Sequence, residues 1–425
     1  MGLDSTVKTH LRGIAKGVFS YSSSLKDVWT KHEFGALVID MNVELFRKPQ
    51  TCHTGRQWAE YIYRARIKGA QTAKVVVLLF DSASRVPAVK DLCHLDRNVK
   101  KRKRGGFVPL PKTTIINDGQ LPEWGRVTGS KHILPAVWNY LIGKLKGLIS
   151  DDIHNTKTVY FDTPFNALMS VKCPNLNGKI HLGWRGDLDK DERPCHMYGE
   201  GDLKTLSWCK CLLEKWHIKK ILVLSTDLDN IAIFCRPQFK GVHMMGNTVY
   251  INKENTVVPR CTKPKKAPQA KSAYEVIHIG GLPEALGPTW DAFVNVLTLS
   301  KNDFQEPVHR LTTDRMIKAY LYLKKTRMPV DASRLISDRE YYMRFLSCCC
   351  GKKANKRACT PPIIGKSEVE AYLARARWVR EYWDGIDEAA GGPDCRKSAG
   401  WRRPKNEGED AGLEEYGGKV RLVRA

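Results

Sequence analysis

Short runs of apolar and β-branched residues alternate along the chain with longer stretches in which apolar residues recur every three or four positions. The short runs predict strands and the longer stretches predict helices. The predicted strands are 36–41, 75–81, 158–162, 221–227 and 275–281, with two shorter strands at 231–234 and 248–252 that would extend the sheet as a hairpin. The predicted helices lie near 54–68, 134–149, 203–217 and 289–300. This alternation predicts a mixed α/β fold with a central, mostly parallel sheet flanked by helices.

Acidic residues stand where several of these strands end. Asp40 closes the first predicted strand, Asp81 closes the second, and Asp227 and Asp229 follow the fourth. The segments GEGD and LSKNDF add three more acids, which are Glu200, Asp202 and Asp303. A single Asp after a strand is commonly a helix cap or a turn residue. Open parallel sheets bind ligands at the carboxyl ends of their strands, so the whole set indicates a ligand site.

Carboxylates that meet at one edge of a sheet repel each other unless cations neutralise them. A ligand set made only of oxygen suits Mg²⁺, with Mn²⁺ as an alternative, and does not suit zinc. We therefore expect two divalent ions about 4 Å apart, an arrangement that stabilises both the attacking and the leaving oxygen of a phosphodiester. The cysteines offer no competing zinc site, because the triplet at 348–350 followed by Cys359 lacks the spacing of a tetrahedral centre.

The charge balance indicates a polyanionic partner. Seventy Lys and Arg against 45 Asp and Glu give a formal net charge of +25. Nucleic acid is the expected ligand, since each neutralised phosphate releases condensed counterions. A generally basic surface without such a ligand is the simpler alternative. The longest aliphatic run, at 75–80, is too short to cross a bilayer, so no membrane partner is expected.

A strongly basic insertion follows the second predicted strand. Between 85 and 104 it contains Arg85, Lys90, Arg97, Lys100, Lys101, Arg102, Lys103 and Arg104 against two aspartates. Cations of this kind could clamp the charge of a phosphoryl transition state or funnel a single strand toward a site. The run at 99–105 also fits a nuclear localisation signal, which predicts a nuclear protein, with the cytoplasm as the alternative. Both interpretations can hold for neighbouring residues.

The motifs MGLDSTVKTHL, VIDM, FDS, GEGDLK, STDLD and LSKNDF occur in this order over roughly residues 1–305. Through these motifs and their order, the chain resembles the flap endonuclease, XPG-type and Xrn-type 5′ nucleases, which have a PIN-like fold. The resemblance implies a first metal cluster of Asp40, Asp81, Glu200 and Asp202 and a second of Asp227, Asp229 and Asp303. It also implies that Lys90 and Arg97, seven residues apart, bind the scissile phosphate, and that Gly2 lies near the site.

The resemblance also implies a domain organisation. A nuclease domain would cover 1–330, with a helical arch at about 85–135, and a basic, partly helical extension would cover 331–425. Flap endonucleases follow the last aspartate with a Gly-Ile-Gly hairpin that binds duplex, whereas FQEPVHRLT follows Asp303 here. GEGDLK and NDF are closer to the Xrn-type exoribonuclease motifs. No sliding-clamp peptide is recognisable, and a monomer is expected.

The expected function is a structure-specific nuclease that cuts DNA at flaps, branches or 5′ ends with two Mg²⁺ ions, in replication, repair or recombination. A 5′ to 3′ exoribonuclease or RNA endonuclease with the same metal chemistry is the first alternative. A non-catalytic nucleic-acid-binding scaffold is the second, although such a protein has little physical reason to keep mutually repelling acids.

Overall fold

The computed structural model describes residues 3, 5–80, 109–162, 168–171, 201–252, 254, 256–258, 271–302, 304, 311–352, 354–355, 359, 365–384, 401–402 and 421–422. Several residues singled out in the sequence lie outside this part of the chain. They are Gly2, Asp81, Lys90, Arg97, Lys100, Lys101, Arg102, Lys103, Arg104, Glu200 and Asp303.

The described helices are α1 (Thr6–Ile14), α2 (Leu25–His32), α3 (Met41–Phe46), α4 (Gly55–Ile62), α5 (Trp124–Gly129), α6 (Leu134–Asp151), α7 (Gly201–Glu214), α8 (Asp229–Phe234), α9 (Leu282–Leu286), α10 (Trp290–Thr298), α11 (Thr313–Lys325), α12 (Ala332–Ser337), α13 (Arg339–Cys350) and α14 (Lys366–Asp384). Local sequence accounts for several of the starts. Ser24 with Asp27 and Thr54 with Gln57 form capping boxes, which satisfy the first free backbone N–H groups of α2 and α4. A π-helical segment, Tyr63–Lys68, continues α4.

The described strands are β1 (Phe19–Ser22), β2 (Ala36–Asp40), β3 (Val75–Leu79), β4 (Thr158–Asp162), β5 (Leu168–Val171), β6 (Ile221–Leu224), β7 (Val242–Met245), β8 (Val249–Ile251), β9 (Val257–Val258), β10 (Lys271–Ile277), β11 (Trp401–Arg402) and β12 (Arg421–Leu422). The main sheet has the order β5-β4-β3-β2-β6-β7-β10-β8-β9, and β1 pairs with β10. The five strands from β4 to β7 in this order are parallel, and β5 and β10 join them antiparallel. The predicted fold class, a mostly parallel sheet flanked by helices, is confirmed.

Helices cover both faces of the sheet, as the central strand shows. Every residue of β2 is buried, and its side chains alternate between two hydrophobic clusters. Val38 belongs to the cluster that includes Trp208 of α7, whereas Ile39 belongs to the cluster that includes Trp58 of α4. A strand covered on both sides reads as a continuous apolar run. This explains why ALVID shows no alternation of polar and apolar residues.

One predicted strand is wrong. Residues 231–234 were expected to extend the sheet, but they form the end of α8, which begins at Asp229. All six residues of α8 are buried. A short, continuous apolar run fits a buried helix as well as a buried strand, so its period cannot separate the two. Its expected hairpin partner at 248–252 is confirmed, since β8 lies there and pairs with β10 and β9.

The helices beyond residue 331 pack on the same hydrophobic cluster as α7 and α8. Tyr372, Trp378 and Trp383 of α14 are at most 4% exposed and lie in that cluster. Arg236, just after α8, donates to the carbonyl of Trp383 at 3.1 Å and forms an ion pair with Asp384. Burial lowers the pKa of Arg236 to about 10, and the attraction of Asp384 opposes that shift. This stretch therefore contributes to the core beside the elements that carry the acids.

The described helices include none that combines the length and the apolar character needed to cross a bilayer.

Candidate metal centre

The order of the sheet creates a crevice between β2 and β6. From β2 the chain continues to β3 and β4 on one side, whereas from β6 it continues to β7 on the other side. The two strands are parallel and in register, with Ile39 opposite Leu224. The connections that follow β2 and β6 therefore lead to opposite sides of the sheet and leave a crevice between the two strand ends. Open α/β sheets bind their ligands in such a crevice, at the carboxyl ends of the strands. Asp40 ends β2, and the loop that carries Asp227 follows β6.

Asp40 ends β2 and caps the helix that follows it. Its Oδ1 accepts a hydrogen bond of 2.9 Å from the backbone N–H of Asn42, so it is the N-cap of α3. The residue is 9% exposed and lies at the edge of the crevice. A carboxylate has two oxygens with about four lone-pair positions, so capping is compatible with holding a cation. The cap fixes the direction of this side chain.

Three of the predicted acids come together in the structure. Asp202, Asp227 and Asp229 each offer a carboxylate oxygen, and these atoms lie within 4.8 Å of one another. Asp202 stands in the first turn of α7, Asp227 in the loop after β6, and Asp229 at the start of α8. Asp229 is 1% exposed and Asp202 is 9% exposed. The sequence placed Asp202 in one metal cluster and the other two in a second, and the structure gathers all three in one group.

The loop after β6 is held by a network of hydrogen bonds. The backbone N–H of Asp227 donates to Ser225 Oγ at 3.1 Å, and the N–H of Asp229 donates to Asp227 Oδ1 at 3.1 Å. The buried amide of Asn230 donates to Ser225 Oγ at 3.2 Å and reaches Asp202 Oδ1 at 3.5 Å. Asn230 therefore bridges the loop and α7. Sequence reasoning missed this residue, because an Asn in an apolar helical turn has no pattern of its own.

The amino-terminal segment also reaches the centre. The backbone N–H of Leu3 donates to Asp229 Oδ1 at 2.7 Å, and the contact is buried. The sequence placed Gly2 near the site by resemblance. Gly2 itself is outside the described residues, but its neighbour contacts a predicted metal ligand.

A buried ion pair lies beside the centre. The ammonium of Lys204 is 2.7 Å from Asp162 Oδ1, and the two side chains are 0% and 4% exposed. Lys204 also donates to the carbonyl of Phe80 at 3.0 Å, and Trp208 Nε1 donates to Asp162 Oδ2 at 2.9 Å. Asp162 was not among the predicted acids. The only available signal was its place at the end of the third predicted strand.

Cationic and aromatic side chains stand at and just after the end of α3, the helix that follows Asp40. Phe46, the last residue of α3, is 65% exposed, and Arg47 follows it and donates to the side chain of Asn247. Burial lowers the pKa of Arg47, although Glu44 and Asp40 counter that shift. Lys48 lies 5.1 Å from the ring centre of Trp124. These residues were not predicted, because isolated Phe and Arg residues after a helix are common.

The donor set fits a hard divalent cation. The three gathered side chains are carboxylates, and neither His nor Cys belongs to the group. Mg²⁺ and Mn²⁺ prefer such oxygen ligands, whereas a structural zinc site uses Cys and His. Anions this close together repel each other, and a shared cation removes that repulsion. Within the part of the chain that the structure describes, this is the one group of three acidic, His or Cys residues with metal-binding geometry.

A scan against protein-family models matches none, and a search of curated proteins finds no match. Among solved structures, the chain is similar to the catalytic core of Rad2 in complex with DNA substrate. The identity is 11%, the match covers 90% of this chain and 88% of that chain, and the TM-score is 0.38. A second complex of that catalytic core with DNA substrate matches at 10% identity over 88% and 95% of the two chains, with a TM-score of 0.34.

The fold class rests on the sheet order of this chain, and the metal-binding chemistry of the site rests on the carboxylates at the crevice.

Proposed function

We propose that this protein is a divalent-metal-dependent nuclease that hydrolyses phosphodiester bonds in DNA at flaps, branches or 5′ ends. The observation that carries the proposal is the meeting of Asp202, Asp227 and Asp229 at the carboxyl edge of the sheet, with ligand oxygens within 4.8 Å of one another. Such a group has the chemistry of a Mg²⁺ site. Its place beside the switch point between β2 and β6 is where an α/β sheet binds its ligand.

The proposed ligands divide into those that the structure describes and those taken from the resemblance. Asp202, Asp227 and Asp229 would hold divalent cations directly, with Asp40 at the neighbouring strand end. Asp81, Glu200 and Asp303 would complete a site for two ions. Bound there, two Mg²⁺ ions, or Mn²⁺ in their place, would stabilise the charge that develops on the attacking and leaving oxygens of the phosphodiester.

Side chains around the crevice would bind and orient the nucleic acid. Lys90 and Arg97 are proposed to hold the scissile phosphate, and the run from 100 to 104 is proposed to steer the strand. Arg47, which follows α3, is proposed as a further phosphate ligand, and the exposed ring of Phe46 is proposed as a face on which a base stacks. The formal net charge of +25 supports association with a polyanion.

A second candidate substrate is RNA. The segments GEGDLK and NDF are closer to the Xrn-type exoribonuclease pattern than to the flap endonuclease pattern. The same carboxylates would serve either substrate, because the metal chemistry acts on the phosphodiester and not on the sugar. The choice between DNA and RNA therefore depends on contacts with the 2′-hydroxyl.

Three further proposals follow from the sequence. The nuclease domain would span 1–330 with a basic extension at 331–425, the protein would act as a monomer, and the run at 99–105 would direct it to the nucleus. In this role the protein would act in DNA replication, repair or recombination.

The deciding experiment compares matched 5′-labelled substrates, a DNA flap and a single-stranded RNA, with Mg²⁺ and with a chelator. We expect cleavage of the flap only when Mg²⁺ is present. Asp227→Asn should abolish cutting and keep most of the binding, whereas Asp151→Asn, an exposed acid at the end of α6, should cut like the unaltered protein. Cleavage of RNA alone would show that the substrate is RNA and not DNA. Binding without any cleavage would favour a non-catalytic scaffold.

A further inference from the structure

Lys204 is buried in an unusual way for a charged residue. Its side chain is 0% exposed, and its ammonium lies between Asp162 Oδ1 at 2.7 Å and the carbonyl oxygen of Phe80 at 3.0 Å. Lysine is almost never fully buried unless it is paired. Removing two charges from water costs free energy that their attraction often fails to recover. Stability alone is therefore a poor reason for this pair to exist.

The pair connects three elements that converge on the metal centre. Lys204 stands on α7, Asp162 ends β4, and Phe80 follows β3 directly before Asp81. The backbone N–H of Phe80 donates to the carbonyl of Asp162 at 3.0 Å, which joins the two strand ends. Trp208, one helical turn after Lys204, donates to Asp162 Oδ2 at 2.9 Å. Both oxygens of Asp162 thus bind α7.

The first turn of α7 carries Asp202, two residues before Lys204. Side chains two positions apart on a helix point to different faces. Lys204 therefore faces the ends of β3 and β4, while Asp202 faces the acids that follow β6. A shift of α7 along the sheet would move Asp202 away from Asp227 and Asp229. The ion pair opposes such a shift, because moving α7 would break several buried hydrogen bonds at once.

We propose that Lys204 and Asp162 are positioning residues for the metal centre. Together they fix α7 against the ends of β3 and β4, so that the Asp202 carboxylate is held at the distance from Asp227 and Asp229 that a divalent cation requires. The inference deepens the proposed function and rests on it. It assigns a role to Asp162 and to the lysine of GEGDLK, neither of which would touch the substrate.

The test measures metal affinity without relying on cleavage. Mn²⁺ is titrated into the full-length protein and followed by electron paramagnetic resonance, for the unaltered chain, Lys204→Met, Asp162→Asn and the double variant. We expect each single variant to bind Mn²⁺ roughly 10- to 100-fold more weakly, which is the usual cost of removing a group that orients a ligand. The Mg²⁺ concentration for half-maximal cleavage should rise by a similar factor, while the rate at saturating Mg²⁺ changes little.

The double variant separates positioning from simple stabilisation. Each single change leaves one buried charge without its partner and is expected to lower stability, whereas removing both charges should restore much of it. If the pair positions α7, Mn²⁺ affinity stays low in the double variant although its melting temperature recovers. If affinity recovers together with the melting temperature, the pair only stabilises the fold and the inference is wrong. If a single variant fails to fold, the double variant can still be compared with the unaltered chain in Mn²⁺ affinity and melting temperature.

A matched control breaks a different buried ion pair. Glu275 on β10 is fully buried and pairs with Lys8 and Arg12. Glu275→Gln should lower the melting temperature and leave Mn²⁺ affinity unchanged. If the unaltered chain binds Mn²⁺ and cleaves nucleic acid, and Lys204→Met does both equally well, the positioning role is wrong and the proposed function still stands. An unaltered chain that neither binds Mn²⁺ nor cleaves would overturn the proposed function and this inference with it.

Discussion

Buried acids occur in two different settings in this protein. Glu44 lies 2.7 Å from Arg66, and Glu275 lies 2.6 Å from Arg12 and also pairs with Lys8, so each of these carboxylates has a protein cation in contact. At the crevice between β2 and β6, three carboxylates approach one another within 4.8 Å. Both settings remove charge from water. Only the second brings like charges together.

The charge of the groups around a buried acid indicates its role. A carboxylate in contact with Arg or Lys connects elements of the fold, and its removal leaves a buried cation without a partner. Carboxylates that face each other repel, and a fold that holds them together gives up stability in exchange for a cation site. Glu44 and Glu275 should therefore matter for folding, and the gathered acids at the crevice for catalysis. The following experiments test that division.

The largest expected effect concerns the gathered acids. Asp229→Asn keeps the shape of the side chain, including an oxygen for the N–H of Leu3, but it removes one negative charge from the proposed metal site. We expect the cleavage rate to fall by roughly 10³-fold, the scale for losing one electrostatic group in a catalytic site. The free energy of unfolding without metal should stay equal or increase, because repulsion is relieved. Single-turnover cleavage and urea denaturation measure the two quantities.

Removing a paired acid should have the opposite profile. Glu275→Gln leaves Lys8 and Arg12 facing a neutral group, and we expect a loss of about 3 kcal/mol in the free energy of unfolding. The cleavage rate per folded molecule should stay within about twofold, since the pair does not belong to the gathered acids. Loss of cleavage at full folding would contradict the division between the two kinds of acid.

Divalent metal should stabilise the chain through the gathered acids. At a free Mg²⁺ concentration 100 times the dissociation constant, linkage predicts a gain of about 2.7 kcal/mol, seen as a rise in melting temperature. The gain should disappear in Asp227→Asn and persist in Glu275→Gln. Calorimetry with and without Mg²⁺ gives both values. Equal gains in all three proteins would place the stabilising metal elsewhere.

His243 is a buried titratable group that stays neutral in the folded protein, unlike the charged acids compared above. His243 on β7 stacks on His278 with ring centres 4.2 Å apart, and its Nδ1 donates to the carbonyl of Gly241. Burial lowers the pKa of His243 from its ordinary value of 6.5 to about 3, and the nearby His278 adds to that shift. The unfolded chain therefore takes up a proton between these pH values and the folded chain does not. The stability that depends on neutral His243 is present above pH 6.5 and is lost as pH falls toward 3.

The expected slope is at most about 1.4 kcal/mol per pH unit for one proton. His243→Phe should reduce the acid loss of stability over this range. His154→Gln, a change at an exposed position, should leave the loss as it is. Denaturation at several pH values measures the slope. An unchanged slope in His243→Phe would assign the acid sensitivity to other groups.

Much of the architecture follows from local sequence. The strands at 36–40, 75–79, 158–162 and 221–224 lie inside predicted segments, because continuous β-branched runs between polar turns have few alternatives. Their acidic ends could be anticipated for the same reason, since a strand followed by Asp is visible in the sequence. The helix at 229–234 could not, because a buried helix of six residues and a buried strand share the same apolar run.

The sequence by itself determined the strands at 36–40, 75–79, 158–162 and 221–224, the helices near 54–68, 134–149, 203–217 and 289–300, and which acids stand at strand ends. Only the tertiary structure decided which of those acids meet, that Asp162 binds Lys204 from 42 positions away, and that Asn230 bridges Ser225 and Asp202. Strand formation depends on neighbours in the chain, whose pattern is local. Contact between side chains depends on the order in which the sheet is assembled, and that order is set by the packing of the whole core.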